Sequence, residues 1–324
     1  MISAAIVGLG RWGRNLVKAS LGHERLKIVR AVEPDIKSAR GFCAEHHLEL
    51  TDSLDAVLAD GTIGAVLLAT PHSLHPAQVI ACASARKQVF CEKPLALRRS
   101  DAARMFQACR EAGVALAVGH NRRFWPSMRA LREIVASGEL GTILHIEGHN
   151  SNENSQAVVA GWRLSPEESP GGGLTGAGLH VLDAFVSMLG PVRRIFAQLH
   201  QREKGPPPLD TAVVTLDFVN GVTGSLATVR ATPLYWRVHV FGTKGSAEVL
   251  DEFTMILRKS GGEPQRTSYP AIDVLRAELN AFVDTIENKV PFPVPEAEVL
   301  ATLSAFEATL QSMKSGIPVA CHDG

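Results

Sequence analysis

The sequence predicts an α/β chain: a parallel sheet covered by helices, followed by an α+β domain with an open, mostly antiparallel sheet. Three observations predict this. In the first 120 residues short apolar runs alternate with amphipathic stretches, the grammar of strands joined through helices. After about residue 125 strand-like segments follow one another directly, and Asn220-Gly221 between two of them is a strong hairpin signal. The 324 residues also suit two domains at roughly 150 residues each. The change of pattern sets them at 1–122 and 123–324.

Residues 4–7, 27–32, 63–69, 88–91 and 114–118 are rich in β-branched residues and nearly continuous in apolarity, as strands buried on both faces are. Helical periodicity fills the intervals at 11–21, 35–46, 75–85 and 100–112. Pro71 and Pro94 each stop a strand and turn the chain outward. Residues 51–55 read as a loop and helix cap. The second part opens with a helix at 127–137, a strand at 142–149, a polar stretch at 150–173 and a helix at 178–189. Strand-like segments follow at 194–199, 212–218, 223–229, 237–242, 246–250 and 254–258, with exposed loops at 205–208 and 261–264. The second and third of these strands carry apolar residues at alternating positions on both faces, which predicts burial on both sides. Helices at 274–288 and 296–315 come last.

Composition excludes several function classes. Apolar residues make up 45% and charged residues 20%, ordinary for a soluble globular protein. Lys plus Arg and Asp plus Glu are 33 each, so no basic excess is present to neutralise nucleic acid. The apolar runs are of strand length, too short to cross a membrane. No basic residue precedes the apolar start, so no secretory signal is expected. Five cysteines (43, 82, 91, 109 and 321) form no C-x-x-C pair, which reads as reduced thiols in a cytoplasmic protein. His72 with His75 and His145 with His149 have loosely ligand-like spacing, but nothing completes either set, and no metal is expected.

The most informative motif is Gly8-Leu9-Gly10-Arg11-Trp12-Gly13, which follows an apolar strand and opens a helix. Gly8 permits the tight turn, Gly10 lets the backbone approach a pyrophosphate, and Gly13 allows close helix–strand packing. The helix N-terminus favours the phosphate charge. Glu33 ends the second strand, where a carboxylate accepts hydrogen bonds from ribose hydroxyls and repels a 2′-phosphate. These features describe a Rossmann dinucleotide-binding domain that prefers NAD to NADP. Glu92-Lys93-Pro94 follows the fourth strand, at the strand ends that line the ligand crevice of such sheets. His180 lies in a glycine-rich entry to a helix, with Asp183 three residues on and on the same face.

Taken together these residues resemble the glucose–fructose oxidoreductase, inositol dehydrogenase and rhizopine-catabolism (Gfo/Idh/MocA) family. The landmarks, in order, are the segment Ala5 to Gly13, Ala69-Thr70-Pro71-His72-Ser73-Leu74-His75, Phe90-Cys91-Glu92-Lys93-Pro94-Leu95, Val118-Gly119-His120-Asn121-Arg122-Arg123-Phe124, Gly161-Trp162-Arg163 and the segment Gly171 to Asp183. The resemblance implies a nicotinamide-dependent oxidoreductase acting on a sugar, polyol or related hydroxy compound, assembled as a homodimer or homotetramer through the outer face of its antiparallel sheet. It implies catalytic roles for Lys93 and His180, and a cis peptide before Pro94. It places the cofactor against Gly8, Leu9, Gly10, Arg11, Trp12, Gly13, Glu33, Thr70, Pro71, His75, Glu92 and Lys93. Substrate contacts fall to Lys93, His120, Asn121, Arg122, Trp162, Arg163 and His180. One departure stands out: Gly176 occupies the position where the family usually has an aspartate. Loss of that carboxylate admits a rival reading, a non-catalytic regulator that binds NAD(P) and a sugar.

Overall fold

A computed structural model describes residues 1–151, 161–203, 209–230 and 232–322, so the expected loop at 205–208 and part of the polar stretch at 150–173 lie outside the described residues. The chain forms two compact units, Met1–Asn121 with Asp273–Pro295, and Arg122–Ile272 with Glu296–Gly324.

The first unit alternates β1 (Ile2–Val7), α1 (Arg11–Ser20), β2 (Leu26–Val32), α2 (Ile36–Glu45), β3 (Glu49–Thr51), α3 (Leu54–Ala59), β4 (Ala65–Leu68), α4 (His75–Ser84), β5 (Gln88–Glu92), α5 (Arg99–Ala112) and β6 (Leu116–Gly119). Among the described residues these make a six-stranded parallel sheet in the order β3-β2-β1-β4-β5-β6. The order reverses between β1 and β4, and in such sheets the crevice at the strands' carboxyl ends at that point takes the ligand. All four residues of β4 are buried, as two covered faces require. The short β3 and α3 fall where the sequence suggested a loop and cap; the cap itself is present, with Ser53 accepting from the Ala56 N–H.

The second unit begins with α6 (Pro126–Ser137) and β7 (Ile143–Ser151). A π-helical turn, Leu174–Gly178, leads into α7 (Leu179–Leu189). Then come β8 (Val192–Glu203), β9 (Leu209–Phe218), β10 (Thr223–Val229), β11 (Tyr235–Gly242), β12 (Gly245–Val249), β13 (Thr254–Lys259) and β14 (Gln265–Ser268). The chain next enters the first unit as α8 (Val274–Glu287), and returns with α9 (Glu296–Ser315) and β15 (Val319–Ala320). The described strands pair in the order β14-β13-β12-β11-β7-β10-β9-β8-β15, antiparallel except for β7 with β10. Asn220-Gly221 forms the β9–β10 turn, with Gly221 at φ +88.

One face of this sheet is covered. A side chain at Gly148 would put its first carbon 2.2 Å from Val181, so glycine lets α7 cross close to β7. The other face, carrying Val213 and Thr215 of β9 and Thr223 of β10, is open in the single chain. Two-sided burial of β9 and β10 is therefore not what the chain alone displays. The segment Asp273–Pro295, expected in the second domain, packs in the first, where Phe282 of α8 meets Phe90 of β5 with ring centroids 5.8 Å apart.

Candidate functional site

In the first unit, β1 runs straight into the glycine loop. Gly8 has φ +89, and a side chain there would meet the Ala69 carbonyl oxygen at 2.8 Å. Gly13 sits so close to the loop that a first side-chain carbon would fall 1.8 Å from the Gly8 carbonyl oxygen. At Gly10, by contrast, an added carbon meets nothing within 4 Å. That combination is a cradle: tight behind, open in front, with the N-terminus of α1 facing the opening. The Glu33 carboxylate braces it, accepting from the Leu9 N–H at 2.8 Å and from the Asp35 N–H at 3.3 Å. Arg14 closes the rear, donating to the Leu9 carbonyl at 2.9 Å. Arg11 is exposed, and its guanidinium lies over the Trp12 ring.

The loops after β4 and β5 are tied to each other. The His75 ring nitrogens stand 2.9 Å from the Pro94 carbonyl oxygen and 3.1 Å from that of Thr70. Expected at the cofactor, His75 is fully buried, so its side chain acts on these loops. The Thr70 hydroxyl donates to Gln78 at 2.6 Å. The peptide between Lys93 and Pro94 is cis. Glu92 is buried and folds back to accept from the Lys93 N–H at 3.3 Å, while Lys93 itself is half-buried. His120 is buried at the end of β6, and Asn121 is partly exposed.

In the second unit, His180 and Asp183 are both buried on α7. Asp183 accepts from two Arg123 nitrogens at 2.8 and 2.6 Å, and Glu298 of α9 takes a third. Burial works against the Arg123 charge, but the two carboxylates outweigh it and raise its pKa. The glycine-rich entry to α7 is held from the sheet. Asp210 of β9 accepts from the Gly173 N–H at 2.9 Å and pairs with Arg230 at 2.9 Å. Burial lifts the Asp210 carboxyl pKa, with Arg230 and the Gly173 amide opposing. Asn150 of β7 donates to the Ala177 carbonyl at 2.8 Å, fixing the π-helical turn itself. At Gly176 an added side-chain carbon would meet none of the described residues within 4 Å, so a side chain could begin where the sequence withholds one. Arg122 lies 4.4 Å from the Trp125 ring centroid and 4.3 Å from that of Trp236, and Arg163 lies 4.1 Å from that of Trp162.

The structure thus gathers the glycine loop, Glu33, Thr70, Pro71, Glu92 and Lys93 at the carboxyl ends of one sheet. It sets His180 at the start of a helix in the other unit. Sequence reasoning missed Asn150, Asp210, Arg230, Glu298 and Glu278. None belongs to a recognisable motif in its own segment, and only tertiary contact sets it apart. Among the described residues no group of three or more His, Cys, Asp and Glu is placed to hold a metal ion. No described helix is long and apolar enough to cross a membrane.

Residues 2–120 match the model of an oxidoreductase family with an NAD-binding Rossmann fold (GFO_IDH_MocA), and residues 128–248 match the GFO/IDH/MocA C-terminal domain. The 2,7-anhydro-N-acetylneuraminate hydratase of Escherichia coli is 31% identical, over 81% of this chain and 71% of its own. The myo-inositol 2-dehydrogenase of Thermotoga maritima is 32% identical, over 72% of this chain and 73% of its own. A solved structure from Desulfitobacterium hafniense, provisionally described as an NADPH-dependent oxidoreductase, has a TM-score of 0.90 at 26% identity, covering 98% and 97% of the two chains.

Proposed function

As this chain belongs to the Gfo/Idh/MocA oxidoreductase family, we propose that it transfers a hydride between a nicotinamide cofactor, NAD in preference to NADP, and a CH–OH carbon of a sugar, polyol or related compound. The observation that carries this reading is the cradle at Gly8, Gly10 and Gly13, closed behind, open in front and braced by Glu33. Its backbone N–H groups and helix N-terminus suit a pyrophosphate, and Glu33 suits the ribose hydroxyls. When bound, the nicotinamide supplies the hydride acceptor or donor. In the oxidation direction His180 accepts the proton of the substrate hydroxyl. Lys93 donates a hydrogen bond to the oxygen that gathers negative charge. Arg122 and Arg163 present guanidinium groups stacked on tryptophan rings, with His120, Asn121 and Trp162 as further substrate contacts. The protein acts in the cytoplasm as a homodimer or homotetramer.

NADH fluorescence titration, followed by turnover across sugars, polyols, inositols and anhydro-sugars, tests the proposal. Because one relative is named a hydratase, products are identified as well as NADH change. Lys93→Ala and His180→Ala should each cut kcat/KM by about 10²- to 10⁴-fold, with NADH affinity largely kept, since neither lies in the glycine loop. Turnover that survives loss of His180 would sink the acid/base assignment. NADH binding with no turnover of any panel compound would favour a regulator, the reading that Gly176 admits.

A further inference from the structure

Glu278 is a carboxyl group with no exposed surface, and neither of its oxygens has a hydrogen-bond partner among the described residues. An ionised carboxylate in that position would be left without water or a counter-charge, a far larger penalty than keeping the group neutral. Its placement is specific. Phe90 and Glu92 alternate onto one face of β5, while Glu278 and Phe282 stand one turn apart on one face of α8. The Phe90–Phe282 contact sets the register, so Glu278 falls toward Glu92. Glycine at 119, the β6 partner of Glu92, leaves room for the Glu92 carboxylate: an added carbon there would come within 3.2 Å of it. That carboxylate accepts from the Lys93 N–H.

We propose that Glu278 is a positioning residue: it keeps its proton beside the Glu92 carboxylate, which stays in place to brace the turn that presents Lys93. Burial first, and then the Glu92 charge, hold the Glu278 carboxyl well above the usual range. Among the groups beside α8, α1 brings Arg11 and Lys18, both exposed, and Arg14, which is bound to the Leu9 and Ser38 carbonyls, while the turn after α1 brings His23, whose pKa burial lowers, and Arg25, which pairs with Asp284 and Glu287. Ionising Glu278 would set two like charges together and push Glu92 off the Lys93 amide. The link from the turn to turnover rests on the role given to Lys93 above; the state of the carboxyl pair does not.

Glu278→Gln keeps the shape and the neutrality, whereas Glu278→Leu removes the polar group. A group whose folded pKa is raised loses its stabilising contribution as pH rises from the unfolded toward the folded value. The folding equilibrium of Glu278→Gln should therefore gain on wild type by about tenfold per pH unit above roughly pH 5, read from denaturant melts across pH 5–9. Parallel wild-type and Gln curves would overturn the neutral-acid assignment whether or not a substrate is known. Hydrogen exchange of a peptide spanning 90–95 reports the turn through the Lys93 amide. Both neutral variants should exchange at the wild-type rate near pH 7, and wild type alone should quicken, beyond the intrinsic pH dependence, as pH rises toward 10. Wild-type exchange that stays level with Glu278→Gln throughout would overturn the positioning role. With a turnover substrate in hand, kcat of wild type should fall against that of Glu278→Gln over the same range by at least about threefold, while KM and NADH affinity stay within threefold.

Discussion

On the function proposed above, Glu33 has two tasks for one carboxylate. An ionised carboxylate has about four lone-pair sites, and here the Leu9 and Asp35 amides occupy two of them. The remainder can take a ribose hydroxyl, while the negative charge repels a phosphate in the same place. Removing it should therefore affect the two cofactors unequally. NADH should bind wild type at least about tenfold more tightly than NADPH, a gap of about 1.4 kcal/mol. Glu33→Ser should weaken NADH by about tenfold, since both the ribose contact and the brace on Leu9 go. It should leave NADPH close to its wild-type affinity, where loss of the brace is offset by loss of repulsion. Fluorescence titration with both reduced cofactors measures this. A wild type that binds NADPH more tightly would remove Glu33 as the selector. The glycines beside it were legible in the sequence because each answers a local demand that no other residue meets. The Asp210–Arg230 and Arg123–Asp183 pairs were not, because their members lie 20 and 60 positions apart and nothing local distinguishes them from surface charges.

Among the elements, α8 is the clearest case of what periodicity conveys and what it omits. Its apolar stripe and the Asp273 cap, which accepts from the Arg276 N–H at 2.9 Å, mark a helix in the sequence. A stripe does not say which sheet it will cover, and a chain read in order assigns it to the nearest one. The structure gives α8 to the first unit through contacts made at long separation. Arg276 donates to the carbonyls of Ala19 and Leu21, and Arg25 pairs with Asp284 at 2.7 Å. The Arg276 guanidinium meets the carbonyl end of α1, where a cation is favoured by both the open acceptors and the helix dipole. Two such hydrogen bonds contribute about 1–3 kcal/mol together. Arg276→Ala should lower the melting temperature by about 2–12 °C, at roughly 2–4 °C per kcal/mol for a domain of this size. Arg276→Lys should recover only part of it, because one ammonium does not reproduce the fork. Calorimetry on the three proteins settles the matter: an unchanged melting temperature in the Ala variant would mean the cap contributes nothing.

At the scale of the whole molecule, the open face of the nine-strand sheet is what the single chain leaves unaccounted for. Val213 and Tyr235 are 45% and 47% exposed there, beside a cavity of about 300 Å³ lined also by Glu147, His149, Ser225 and Arg237. Acid and base alternate across it: Arg237 bonds Glu147 at 3.1 Å and Glu248 at 2.9 Å, and Arg258 bonds Glu248 at 2.5 Å. Burial lowers the His239 pKa to about 4, so this imidazole adds no charge to the face near neutrality. A surface with both signs of charge interleaved with exposed apolar groups can meet its own copy across a two-fold axis, acid to base and apolar to apolar. A second chain there would supply the burial on both sides that the apolar alternation on both faces of β9 and β10 predicts. Light scattering at micromolar concentration should give two or four times 34.7 kDa. Val213→Asp, which places an unpaired charge on that face, should shift the mass to that of one chain. NADH binding, which belongs to the other unit, should persist. A wild-type particle of 34.7 kDa would refute the assembly, and an oligomer that withstands Val213→Asp would move it to a different surface.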